Sequence, residues 1–184
     1  MMLRLEKTGF KKVFLMVMAM LLSITVMLPA GAAEAAYTYE GPLSQDASWQ
    51  SSTGGRNMYT SATLQRSGPA AGHLDVITRT KNNVLMTGFT GAVFILLRNS
   101  DGMVIGVTDQ HKFGVDGKWI GRYDRTDYWT HSFDPQVAAA TAYMEIIQQH
   151  SAKELDDQIA SLQRIVCGNL DLLGLPKPPY GCPA

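Results

Sequence analysis

The residues best suited to chemistry in this chain are Asp109, His111 and His131. A carboxylate two positions from an imidazole lies on the same side of an extended strand. A second imidazole on a later strand would complete a set able to share a proton or bind a metal ion. Asp124 and Asp127 are the further carboxylates near His131 in sequence. Ile105, Val107, Phe113 and Val115 continue the alternation through Asp109 and His111, however, so a packed, hydrogen-bonded histidine at the rim of a core is the plainer expectation for His111. A second constellation is the aromatic run Trp119, Tyr123, Tyr128 and Trp129, interleaved with Arg122, Asp124, Arg125 and Asp127. Flat rings flanked by charged groups suit stacking on sugars or recognition of a protein surface. Alternation assigns Trp129 to a buried face with His131 and Phe133, which leaves Trp119, Tyr123 and Tyr128 as the candidate ligand-binding residues.

No motif fixes a reaction. The chain has no G-x-S-x-G, no H-E-x-x-H, no phosphate-binding loop and no dinucleotide-binding glycine pattern after a strand. The Asp-Gly pairs at Asp101 and Asp116 are explained by the positive φ of tight turns, and EF-hand spacing is missing. Neither a cofactor nor a metal site is expected. Two function classes follow. The first is a non-catalytic binding or interaction domain with its contact surface near residues 116–129, taking a protein or a cell-wall carbohydrate; a secreted toxin, inhibitor or immunity factor falls within it. The second is a small hydrolase or metal-dependent enzyme centred on Asp109, His111 and His131. The missing nucleophile motif places the first ahead.

The 184 residues have room for one ordinary domain with accessory segments. Arg4, Lys7, Lys11 and Lys12 precede an apolar run from Val13 to Leu28, closed by Pro29 and small residues through Ala36. This is the three-part pattern of a signal peptide over residues 1–35, and the apolar run is shorter than the ~20 residues that span a bilayer. The mature chain is expected outside the cell or in its envelope, free of membranes. Residues 1–35 hold four Lys or Arg and two acidic residues, so the remainder carries 12 basic against 14 acidic residues, a net of −2. That balance lacks the basic face a nucleic-acid binder needs.

Residues 36–56 are polar and turn-rich, which predicts a mobile arm with Trp49 as its anchor. Residues 57–150 show short runs of period two separated by turns. Met58, Thr60, Ala62 and Leu64 alternate with Tyr59, Ser61, Thr63 and Gln65, and Leu74, Val76 and Thr78 resume the alternation. Gly91 to Leu97 is apolar enough for a central strand, while Asn99–Gly102 and Asp116-Gly117 predict reversals, the second into a strand over Lys118–Tyr123. Six or seven such strands without long helices between them predict an antiparallel β-sandwich. Asp134-Pro135 opens a segment whose spacing fits a helix or a turn followed by a strand.

The strand ending in Phe133, the Pro-containing Ala-rich turn and the run Ala142 to Ile147 together resemble the corner between late strands of immunoglobulin-like and fibronectin-III-like domains of secreted bacterial proteins. The resemblance covers residues 57–149 and implies architecture alone, because such folds host many functions. The Cys pair and Trp spacing of true immunoglobulin domains are absent.

Residues 151–173 read as an amphipathic helix. Ser151 to Glu154 forms a capping box, and Leu155, Ile159, Leu162, Val166, Leu170 and Leu173 draw one apolar stripe that would cover the strands. Gly168 predicts an end near Cys167. Cys167 and Cys182 are expected to form a disulfide that pins the Pro- and Gly-rich tail, residues 174–184; without a nearby His they make a poor zinc set. Exported material should begin at Ala33 or Ala36, which N-terminal sequencing reads directly; an intact Met1 end on secreted protein would contradict it.

Overall fold

A computed structural model describes residues 38–150, 153–179 and 181–182. The signal peptide expected over residues 1–35, with its cleavage positions, lies outside the described residues, as do Ser151 of the capping box and the side chain of Leu155. The chain is mainly β, with two antiparallel sheets. Strands β1 (Pro42–Gln50), β2 (Arg56–Gln65) and β3 (His73–Asn82) form a meander, and β7 (Asp124–Ser132) pairs with the free edge of β3. In the second sheet β4 (Phe89–Arg98) is central: β5 (Val104–Val107) and β6 (His111–Val115) pair with it in succession, as does β8 (Tyr143–Gln149).

Strand identity follows from side-chain alternation. In β2 and β3 Met58, Thr60, Ala62, Leu64, Leu74, Val76, Thr78 and Thr80 are buried, and the residues between them are exposed or partly so. From Phe89 to Leu97 only Thr90 is exposed, as suits a strand covered on both faces. Side chains from both sheets meet in two buried clusters, to which Trp129 and Ile146 are common. Gly91 marks one meeting point, since a Cβ there would lie 2.1 Å from Met58 Sδ.

Four expectations change. Pro42–Gln50 is not part of a mobile arm but the edge strand β1, in register with β2 from Pro42↔Gln65 to Gln50↔Asn57. Its polar composition reflects a largely solvated strand whose inward positions Leu43, Ala47 and Trp49 suffice to anchor it; Trp49 stacks on Phe89 at 6.0 Å and on His150 at 6.1 Å. Gly54 and Gly55 supply the positive φ of the β1–β2 turn. Lys118–Tyr123 is a turn, because the chain leaves β6 for the other sheet instead of folding back upon it. The β5–β6 strand is interrupted at residues 108–110, so Asp109 lies in the break and not on a strand face with His111.

The ambiguous segment is both of its alternatives: a short helix α1 (Pro135–Ala139), capped by Asp134 whose carboxylate accepts Gln136 N–H, followed by β8. Helix α2 (Lys153–Leu173) continues past Gly168 and Cys167 to Leu173, where its last stripe residues still find partners. Ile159, Val166 and Leu170 belong to the larger buried cluster, and Asn169 Nδ2 donates to Val104 O, fixing the helix on β5. The Cys167–Cys182 disulfide is formed. Among the described residues no helix is long and apolar enough to cross a membrane.

Gly72 ties three strand ends together. Its N–H donates to Gln65 O, its carbonyl accepts Phe133 N–H, its φ is +90°, and a Cβ would lie 2.2 Å from Phe133 O. Gly68, at φ +80°, faces open space. Gly68→Ala should therefore cost only the backbone strain of about 1–2 kcal/mol. Gly72→Ala should cost about 3 kcal/mol or more, through strain plus an unavoidable backbone clash. Urea unfolding of the two variants checks the difference, and equal losses would contradict this account.

Candidate functional site

Strands β6 and β7 belong to different sheets yet run beside each other, and the histidines lie along this seam. The His111 ring rests on Trp129, with centroids 3.9 Å apart and planes 20° from parallel. Trp129 is fixed from behind by donation of its Nε1–H to Thr78 Oγ1 at 3.2 Å. One inward position further along β7, His131 packs against Phe133 at 4.6 Å. In the other direction Arg125 donates through Nε and Nη2 to both Asp127 oxygens and through Nη1 to Gly114 O, bridging β7 to β6.

Asp109, exposed in the β5–β6 break, lies close enough that its charge acts on both imidazoles, and the charge of His111 acts on His131. The three residues singled out for chemistry thus feel one another's charge, although among the described residues no hydrogen bond or ion pair joins them. Burial is the main influence on both rings and lowers both pKa values; Asp109 opposes it in each case, and for His131 the neighbouring His111 adds to the lowering. Neutral imidazoles near one carboxylate can accept or relay a proton. Among the described residues no group of three His, Cys, Asp or Glu is arranged to hold a metal ion.

The aromatic candidates separate. Tyr128 is 77% exposed on the outer face of β7, directly opposite Ile77 of β3. Ile77 in turn is diagonal to Tyr59 of β2, whose own partner on β3 is Arg79. An exposed stripe of Tyr59, Ile77 and Tyr128 therefore crosses three strands whose axes are about 4.8 Å apart. Asp46, hydrogen-bonded to the Tyr59 phenol, raises its pKa, and Arg79 holds Asp124 below the ordinary carboxylate range through a two-pronged ion pair. Shallow grooves of about 310 and 400 Å³ border the stripe, one lined by Asp75, Tyr128 and Thr130, the other by Ser48, Asn57, Tyr59, Arg79 and Lys81.

Trp119, by contrast, stands on the loop between β6 and β7, where its N–H donates to Leu85 O. Tyr123 is half-buried and offers its carbonyl to Asn82 N–H. Among the described residues no ring contact joins Trp119, Tyr123 and Tyr128. Tyr59 and Ile77 were the residues missed in the sequence. Their signal was available, as large apolar side chains at the outward positions of strands whose inward series was already complete.

Comparison with known protein families, with curated proteins and with solved structures finds no match to this chain.

The lowered histidine pKa values make stability depend on pH with a defined sign. A histidine whose folded pKa lies below its unfolded value of 6.5 costs nothing while both states are neutral. As pH falls below 6.5 the unfolded chain takes up the proton first, so the native state loses stability down to the folded pKa. The urea midpoint should therefore fall between about pH 7.5 and pH 5.5. His111→Gln with His131→Gln should flatten that fall; an unchanged slope would show that the two rings are not held neutral by burial.

Proposed function

We propose that the protein is an exported, non-catalytic binding module that takes a polysaccharide of the cell wall or extracellular space across the outer face of β1–β2–β3–β7. In this reading the two sheets are the layers of one antiparallel β-sandwich whose inner faces hold the core. The single observation that carries the proposal is the exposed Tyr59–Ile77–Tyr128 stripe on an otherwise polar sheet. Phenol rings stack on the apolar faces of sugar rings. The bordering Ser48, Asp75, Arg79 and Thr130 offer donors and acceptors to sugar hydroxyls along both grooves. The sheet fixes the spacing of the rings before any ligand arrives, which lowers the entropy cost of binding. The Cys167–Cys182 disulfide suits an oxidising, extracellular compartment. A second reading, a small hydrolase, has one observation in its favour, that the charges of Asp109 and His111 both act on His131.

Retention of the mature protein on isolated insoluble cell walls, and its retardation in gels containing soluble polysaccharide, test the assignment. Tyr59→Ala and Tyr128→Ala should each weaken binding about tenfold, the worth of one aromatic contact, with little change in the unfolding midpoint. Trp119→Ala should bind normally. Undiminished binding by both tyrosine variants would overturn the assignment. Shortened glycan in the same incubation, lost in His111→Ala, would select the hydrolase.

A further inference from the structure

The loops that join β3 to β4 and β6 to β7, residues 83–88 and 116–123, place four large apolar side chains side by side in sequence pairs: Leu85 with Met86, and Trp119 with Ile120. All four are exposed, Trp119 to 73%, Met86 to 68% and Ile120 to 60%. The loops are joined to each other, since Lys118 N–H donates to Val84 O at 2.8 Å and Trp119 N–H to Leu85 O at 3.1 Å. A buried Asn82 clamps them from below. Its amide donates to Thr87 O and Asp116 O, and its oxygen accepts Val84 N–H. Gly117 lets the backbones touch, because a Cβ there would lie 2.7 Å from Leu85 O. The apolar side chains are thus presented outward by a braced pair of loops.

We propose that this tip seats in the headgroup region of an anionic phospholipid bilayer. Three features favour lipid over a protein partner. Four side chains fall far short of the 20–30 residues a stable protein interface uses on each side, or about 800 Å². Tryptophan beside aliphatic residues is the composition that partitions into the interface between water and hydrocarbon. Lys118 and Arg122 flank the apolar pairs, both exposed and without an ion pair among the described residues, so they are free to meet lipid phosphates. The one acidic group of the β6–β7 loop, Asp116, is occupied in accepting Arg122 N–H. The loop-to-loop bonds also satisfy backbone groups that would otherwise resist leaving water. This surface is separate from the sheet face assigned to glycan. It departs from the sequence expectation of a mature chain free of membranes, which considered apolar helices and not loops.

Mature protein co-sedimented with vesicles of equimolar phosphatidylglycerol and phosphatidylcholine provides the test, with vesicles of phosphatidylcholine alone in parallel. Binding to the anionic vesicles is expected, weaker on phosphatidylcholine alone, reduced at least tenfold by Trp119→Ser combined with Met86→Ser, and reduced also by Lys118→Glu combined with Arg122→Glu. A blue shift of tryptophan emission on vesicle addition, absent in Trp119→Phe, reads the same contact without altering the fold. Absence of co-sedimentation, or binding and blue shift that survive the Trp119 substitutions, would overturn the proposal. So would a concentration-dependent dimer in sedimentation velocity that Trp119→Ser with Met86→Ser abolishes, since the tip would then belong to a second copy of the chain.

Discussion

At the middle of β4 the Ile95 peptide faces the gap between β5 and β6, and Thr108 fills it. Ile95 N–H donates to Thr108 Oγ1 at 3.0 Å, and Thr108 N–H returns a bond to Ile95 O at 3.0 Å. Both residues are fully buried, so an unpaired peptide group here would cost about 1–3 kcal/mol. By taking over one rung of the ladder with its side chain, Thr108 lets the partner strand break without stranding the central one. The break gives β5 and β6 separate tasks: β5 receives helix α2 through Asn169, and β6 brings His111 onto Trp129 beside the other sheet.

Several polar side chains buried between the strands are satisfied in the same way, whereas the hydroxyl of Thr80, buried on β3, has no hydrogen-bond partner among the described residues. Gln148 donates to Thr60 Oγ1 at 2.7 Å, Thr60 and Thr78 share a hydrogen bond, and Trp129 donates to Thr78. This chain of contacts links β8, β2, β3 and β7, and therefore both sheets. Apolar packing tolerates sliding, whereas a hydrogen-bonded network has one register in which its members are paired. Asn82 plays a comparable part at the end of β3, where one buried amide fixes two loops.

The inner and outer faces of β7 show how one strand can serve two environments. Inward, Trp129 and His131 lose water and the imidazole stays neutral; outward, Tyr128 keeps its ring in solvent next to Ile77. The period of two separates them without any further device. An exposed ring and a partly buried one, Tyr128 and Trp129, can thus sit one residue apart on the same strand.

The strands, their inward series, the hairpin at Asn99–Gly102, the C-terminal helix stripe and the cysteine pairing are legible in the sequence because each depends on neighbours a few residues away or on two cysteines with no other partner. Edge strand β1 is not, since it depends on backbone pairing with β2 and too few of its own side chains are apolar to announce it. The candidate site was legible by residue type, in Asp109, His111, His131 and Tyr128, but not by grouping. Which rings share a surface depends on strand order: β7 pairs with β3, and that pairing sets Tyr128 beside Ile77 while the turn at 116–123 carries Trp119 to Leu85. Alternation along a strand reports which face a residue takes, whereas its neighbours across the sheet are chosen by long-range backbone pairing, which only the folded chain decides.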